Sequence, residues 1–173
     1  MKPGSWYITF VFLLVSCKSA PSINTPTQLP LADLDLEAIL IQPGDLPMGY
    51  AGGQVQDFLP GMFEDIPQPV NQIYQQFDLT YGSGSGGGVA VIVYDSATAS
   101  IEAYNTLLSE MGGTAQEKEI ENLGEKAHIL GWNLLFLRCN TVVHFRIVGS
   151  NYDEYISYAH RMDERLNPLV CRK

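Results

Sequence analysis

The side chains able to do chemistry are few and scattered. Three cysteines stand at Cys17, Cys139 and Cys171, and three histidines at His128, His144 and His160. No CxxC or Cys/His cluster accompanies them, so the spacing of a zinc site is missing and no metal or cofactor is expected. None of the histidines has a second histidine or a cysteine four residues away. His128 and His144 become neighbours only if their strands pair, and sheet histidines satisfied by hydrogen bonds are the plainer expectation. The run Gly82-Ser83-Gly84-Ser85-Gly86-Gly87-Gly88 lacks the lysine of a phosphate-binding loop and opens a strand, not a helix. Its serines also fail the Gly-x-Ser-x-Gly spacing of a hydrolase elbow. Asp33, Asp35 and Glu37 alternate as in a calcium loop, but Ala38 and Gly44 stand where such a loop needs Gly and Glu. Arg138, His144 and Arg146 share one predicted hairpin and are candidate ligands for a small anion. No local nucleophile–base pair is visible, so no catalytic residue is assigned and a non-enzymatic chain is expected.

Composition narrows the field further. The chain has 173 residues, 46% hydrophobic and 17% charged, which suits one domain with a sizeable core. Nineteen acidic residues oppose 10 basic ones, for a net charge of −9. A nucleic-acid partner is not expected, because phosphate binding needs a basic stripe. Attraction to acidic lipid head groups is excluded on the same ground. Glu117, Glu119, Glu121 and Glu125, with Lys118 and Lys126 among them, read as a solvated edge strand.

The N-terminus reads MKPGSWYITFVFLLVSC. Lys2 is its only charge, and residues 6–15 form an uncharged apolar run. That run is too short to span a bilayer, which takes about 20 residues. It has the layout of an export signal over residues 1–16. Its end, Leu14-Val15-Ser16-Cys17, resembles the lipobox of bacterial lipoprotein precursors at all four positions. The resemblance implies that Cys17 receives a diacylglyceryl thioether, is acylated with fatty acid such as palmitate, and becomes the mature N-terminus. Each buried CH₂ contributes about 0.8 kcal/mol, so two or three chains hold firmly where one does not. The plainer alternative is an ordinary signal peptide with a chance cysteine. Cleavage removes Lys2 alone among the charged residues, so the mature charge becomes −10. Residues 17–32, rich in Pro, Ser, Thr and Asn, then read as the lipidated cysteine and a flexible tether, spanning about 20 Å.

With Cys17 lipidated, Cys139 and Cys171 remain as an even pair, and in an exported chain that reads as a disulfide. The bridge contributes about 3–4 kcal/mol in the chain-entropy picture and staples the last helix to the sheet. Two free thiols are the alternative. Metal binding by this pair is not expected from the spacing.

The positioning elements follow from periodicity across a single domain, residues 33–173. Residues 33–41 suggest a short helix capped by Asp33 or Asp35. Residues 42–70, rich in Pro and Gly, suggest loop. Residues 74–81 and 89–94 read as strands around a mobile glycine connection. A helix follows over about 96–111, with Ile101, Tyr104, Leu108 and Met111 on one face. Residues 115–121, 126–131, 133–139 and 142–148 read as further strands, with a tight turn at Asn140-Thr141. That turn sets Phe136 opposite Phe145 and Leu134 opposite Ile147. The last helix covers about 153–167 and presents Tyr155, Ile156, Ala159, Met162 and Leu166. Trp132 with Tyr152, Tyr155 and Tyr158 reads as partial core packing, with a sticky surface as the other use.

The expected class is α+β: an antiparallel sheet with two amphipathic helices packed on one face. A segment within 34–74 then covers part of the other face, since Val89–Val93 is apolar on both. Strand, loop, strand, helix recurs at 74–111 and 133–167, a candidate β-hairpin–helix duplication or convergent patterning.

Three short features carry a wider resemblance: Pro43-Gly44-Asp45-Leu46-Pro47, Leu123-Gly124-Glu125-Lys126-Ala127, and the closing helix of Leu166 with its cysteine. In these the body resembles small extracytoplasmic lipoprotein domains of bacteria and, more distantly, the PsbP-like and mycobacterial kinase sensor-domain folds. The resemblance implies a binding or protein-interaction module without known catalysis. The leading expectation is therefore a lipid-anchored extracytoplasmic protein on the cell membrane, partnered by the bilayer and by an unidentified protein or small molecule. A small-anion sensor using His144, Arg146 and Arg138 is the alternative, and a hydrolase using His128 or His144 comes third.

Overall fold

The computed structural model describes residues 30–42, 44–46, 49–57, 65–79, 85–112, 117–147 and 152–171. The export signal, Cys17 and tether residues 18–29 lie outside that set, as do Gly82, Ser83 and Gly84. Seven strands form one antiparallel sheet: β1 (Tyr50–Gln56), β2 (Asn71–Leu79), β3 (Ser85–Val93), β4 (Glu117–Glu119), β5 (Lys126–Leu130), β6 (Asn133–Arg138) and β7 (Thr141–Ile147). Their order across the sheet is β1-β2-β3-β7-β6-β5-β4. Helix α1 (Ala97–Gly112) follows β3, and α2 (Tyr152–Val170) follows β7. The fold is α+β.

The central strand explains the layers. Val89, Val91 and Val93 face one side, Ala90 and Ile92 the other, and none is more than 1% exposed. Each side needs an apolar cover, and a helix supplies most of it on each. On one face, Leu134, Phe136, Val143 and Phe145 join the valines against Tyr155, Ala159, Met162, Leu166 and Val170 of α2. On the other, Leu135, Leu137 and Val142 pack with Ala103, Tyr104 and Leu107 of α1. Burying one such side chain contributes about 1.5–3 kcal/mol, so neither layer is dispensable.

The helices therefore lie on opposite faces, not on one face as expected. Residues 34–46 do not roof a face alone. Leu36, Ile39, Leu40 and Ile41 are buried beside α2. The expected duplication fails on geometry. With the rising strand viewed from its own helix, β2 lies on one side of β3, whereas β6 lies on the other side of β7. The two hairpin–helix units have opposite hands, and no rotation superposes them.

Further differences have local causes. Residues 33–41 form no α-helix. A 3-10 turn spans Leu31–Asp33, and Asn71 Nδ2 donates to the carbonyls of Leu31 (3.4 Å) and Leu34 (3.0 Å). Residues 31–32 thus belong to the body rather than to the tether. The stretch expected as loop contains edge strand β1, bulged between Gly52 and Val55. Gly86, Gly87 and Gly88 continue β3 instead of forming a mobile connection. In α1 the buried face is centred on Ala103, Tyr104 and Leu107, leaving Ile101 40% exposed. Ser96 Oγ caps that helix by accepting the Ala99 N–H.

The β6–β7 turn is Cys139-Asn140, one residue earlier than expected. Leu134 consequently pairs with Phe145 and Phe136 with Val143. The pairing slides by two residues, so every side chain keeps its face. Cys139 adopts φ +50°, which takes it out of the strand's alternation. The acidic run does form an edge, with Lys118 and Glu119 exposed on β4.

Gly88 is fixed by close approach. A Cβ there would overlap the ring and hydroxyl of Tyr74. Gly88→Ala is expected to destabilise by about 1–3 kcal/mol in urea unfolding. The same change on a Tyr74→Ala background is expected to cost clearly less, and equal costs on both backgrounds would refute the overlap.

Candidate functional site

Strand alternation separates the three expected anion ligands. His144 and Arg146 point to the α1 face. Arg138 shares parity with Leu134 and Phe136 and points to the α2 face. There its Nε donates to Asp163 Oδ1 (2.6 Å), and its Nη2 donates to Oδ2. Asp163 also accepts the Gly124 N–H (3.2 Å). Arg138 is thus part of a staple between α2, β6 and the loop before β5. His144 is 4% exposed and its Nε2 bonds Asn133 Oδ1 (2.9 Å). Burial first, and the charge of Arg146 second, push its pKa down to about 4. A neutral, buried imidazole does not attract an anion. The expected trio is not assembled.

The two sheet histidines are not neighbours either. His128 faces Leu135, which faces His144, so β6 stands between them. His128 Nδ1 bonds the Tyr104 hydroxyl of α1. Each histidine has a separate partner, and a metal site that needs the two side by side loses its geometry. Trp132 is 59% exposed in the β5–β6 turn, while Tyr155 is fully buried. They share no surface.

The C-terminal cysteines meet. Cys139 and Cys171 are bonded through sulfur with their Cα atoms 5.4 Å apart. The turn placing Cys139 is tied to the loop before β5. Glu125 N donates to Leu137 O (2.7 Å), and Cys139 N donates to Glu125 Oε1 (3.2 Å). Gly124 has φ +60°, and a Cβ there would strike the Leu137 carbonyl. Only glycine fits that approach.

A second clamp was not foreseen from the sequence. Asp45, 9% exposed, accepts from Gln42 N (2.9 Å), Arg161 Nη1 (3.1 Å) and Arg165 Nη2 (2.7 Å). Arg165 Nη1 also donates to Leu40 O (3.0 Å). Burial by itself raises the Asp45 pKa, but hydrogen bonds from Gln42, Arg165 and Arg161 outweigh it and hold the carboxyl below its usual range. Arg161 and Arg165 stand four apart on α2, so one helix face grips the N-terminal segment. That spacing was the signal available.

One open groove of about 430 Å³ lies where the chain enters the body, between residues 34–37 and the start of β2. Asp35, Glu37 and Asp57 are its carboxylates, and Asn71 and Gln72 line its floor. Asp35 Oδ1 accepts the Glu37 N–H (3.1 Å). The rim favours cationic or polar contacts, screened by salt beyond about 8 Å.

No family model matches the chain, and no curated protein matches it. Among solved structures, the crystal structure of a GTP binding regulator from Thermotoga maritima is similar, with a TM-score of 0.43 and 12% identity. The match covers 79% of this chain and 93% of that one. Likeness at this level bears on neither fold nor function.

The buried imidazole has a measurable consequence. His144 titrates near 4 when folded, against an ordinary 6.5. As pH falls below about 6.5 the unfolded chain takes the proton first. Stability is therefore lost between about pH 6.5 and about pH 4, by on the order of 3 kcal/mol. Asp45 contributes its loss below that window, because its pKa is depressed. Urea midpoints across this range are expected to fall for the parent chain and to flatten for His144→Gln. An unchanged slope in that variant would refute the assignment.

Proposed function

We propose that the chain is a lipid-anchored extracytoplasmic protein whose folded body is a non-enzymatic binding or interaction module. The observation that carries this reading is the tetrad Leu14-Val15-Ser16-Cys17 directly after an uncharged apolar run. Three features of the body agree with it. The body begins by Pro30, which leaves residues 18–29 to lie between it and Cys17. A bridged Cys139–Cys171 pair fits an oxidising compartment. The histidines that a hydrolase or an anion sensor would use are engaged by Tyr104 and Asn133.

The acidic groove is the contact surface in this reading. It sits at the end of the sheet where the tether joins, beside Leu34 and Asn71. Its polar, open shape suits a protein or peptide surface better than an enclosed small molecule.

Metabolic labelling with a palmitate analogue and membrane fractionation test the proposal. The parent chain is expected to take up label and to sediment with membranes. Cys17→Ala is expected to lose the label and to accumulate as unprocessed or soluble protein. A parent chain carrying no acyl group on Cys17 would overturn the reading.

A further inference from the structure

The fold supplies what the spacing of the cysteines lacks, which is a third ligand. Glu125 Oε1 lies 3.4 Å from Cys139 Sγ, and the donor atoms of Glu125, Cys139 and Cys171 all lie within 4.8 Å of one another. The three come from separate elements: the loop before β5, the β6–β7 turn and the end of α2. Backbone contacts independent of the sulfur bond hold each in place. Glu125 N bonds Leu137 O, Gly124 N bonds Asp163, and Cys171 N bonds Asn167 O. Glu125 is exposed and both cysteines are half-buried, so an ion has access from solvent.

We propose that Glu125, Cys139 and Cys171 form a divalent-cation site whenever the two cysteines are thiols, with zinc the best-fitting ion. Zinc takes thiolates at about 2.3 Å and carboxylate oxygen at about 2.0–2.2 Å. Tetrahedral geometry then sets a sulfur and an oxygen ligand about 3.5 Å apart. The Glu125–Cys139 pair already stands at that separation. Two sulfurs on one such ion stand about 3.8 Å apart, a spacing compatible with Cα atoms at 5.4 Å. Water completes the fourth position.

The bridge and the ion are mutually exclusive uses of the same sulfurs. Opening the bridge takes two electrons and two protons from a dithiol reductant, which leaves as its own disulfide. Zinc then displaces both thiol protons into solvent and is held by two thiolates and one carboxylate. Glu125 also caps the Cys139 N–H, a task glutamine performs as well. Its negative charge also favours the protonated form of Arg138, and the metal would be its direct inner-sphere use.

The site is tested on the full chain in detergent, reduced with a trialkylphosphine that leaves as its oxide. A parallel Cys17→Ser background removes the remaining thiol, so the result stands apart from the lipid-anchor reading. Anaerobic cobalt(II) is the probe. One equivalent is expected to give thiolate-to-cobalt charge transfer and tetrahedral visible bands, and equimolar zinc is expected to erase them. The oxidised chain is expected to show neither. Cys139→Ser and Cys171→Ser are each expected to lose most of the charge-transfer intensity. Glu125→Gln, which keeps the cap, is expected to weaken cobalt affinity at least about tenfold with circular dichroism unchanged. Absent charge transfer in the reduced chain, or affinity unaltered by Glu125→Gln, would overturn the proposal.

Discussion

Everything in this molecule follows from a central strand with no wet side. Val89–Val93 is paired on both edges and apolar on both faces, so the chain must cover two surfaces with the few elements it has. One helix goes to each face. On the face with α2, Leu36, Ile39, Leu40 and Ile41 complete the cover beside Ile73 and Phe77 of β2. The edge strand β4 carries exposed lysine and glutamate. A helix on each side also makes the two hairpin–helix units mirror images in connection, which is why repeated sequence pattern does not mean repeated structure.

Helix α2 is the hub of the polar fastenings. Its Tyr155, Ala159, Met162, Leu166 and Val170 sit on the valines and phenylalanines. Asp163 grips Arg138 and the Gly124 amide. Arg161 and Arg165 grip Asp45. Its end carries Cys171 to Cys139. Each attachment joins α2 to a segment distant in sequence. The ion pairs are only partly exposed, with Asp163 and Asp45 side chains at 8% and 12%, so removing one partner strands a poorly solvated carboxylate.

Much of this architecture is legible in the chain, for physical reasons that differ by element. Val89–Val93 shows itself because β-branched residues on both faces have few other uses. Both helices show themselves through their stripes. Strand β1 does not, because Tyr-Ala-Gly-Gly-Gln-Val-Gln has no alternation of burial to read and owes its place to pairing with β2. The segment at 33–41 has helix-like residues, yet their apolar side chains bind the sheet, and Asn71 and Gln75 satisfy backbone carbonyls there in place of a helix. The face chosen by each helix is a property of hairpin hand, which no local pattern encodes. Arg138 is a different case. Simple alternation from Phe136 already sets it opposite His144, so sharing a hairpin was too coarse a criterion for a shared site. The Asp45 clamp needed a contact across more than a hundred residues, and the i, i+4 arginines hinted only at one end of it.

The hold of Asn71 on Leu31 and Leu34 decides at which end of the sheet the N-terminal segment joins the body. That contact lies at the sheet end shared with Val93, Thr141 and Arg138. The β5–β6 turn, with the bare indole of Trp132, lies at the other end, beyond five residues of β7 or about 17 Å. Measured from residue 30, the molecule therefore has two poles. Its acidic groove lies at the end where the chain enters, and its exposed indole at the opposite end.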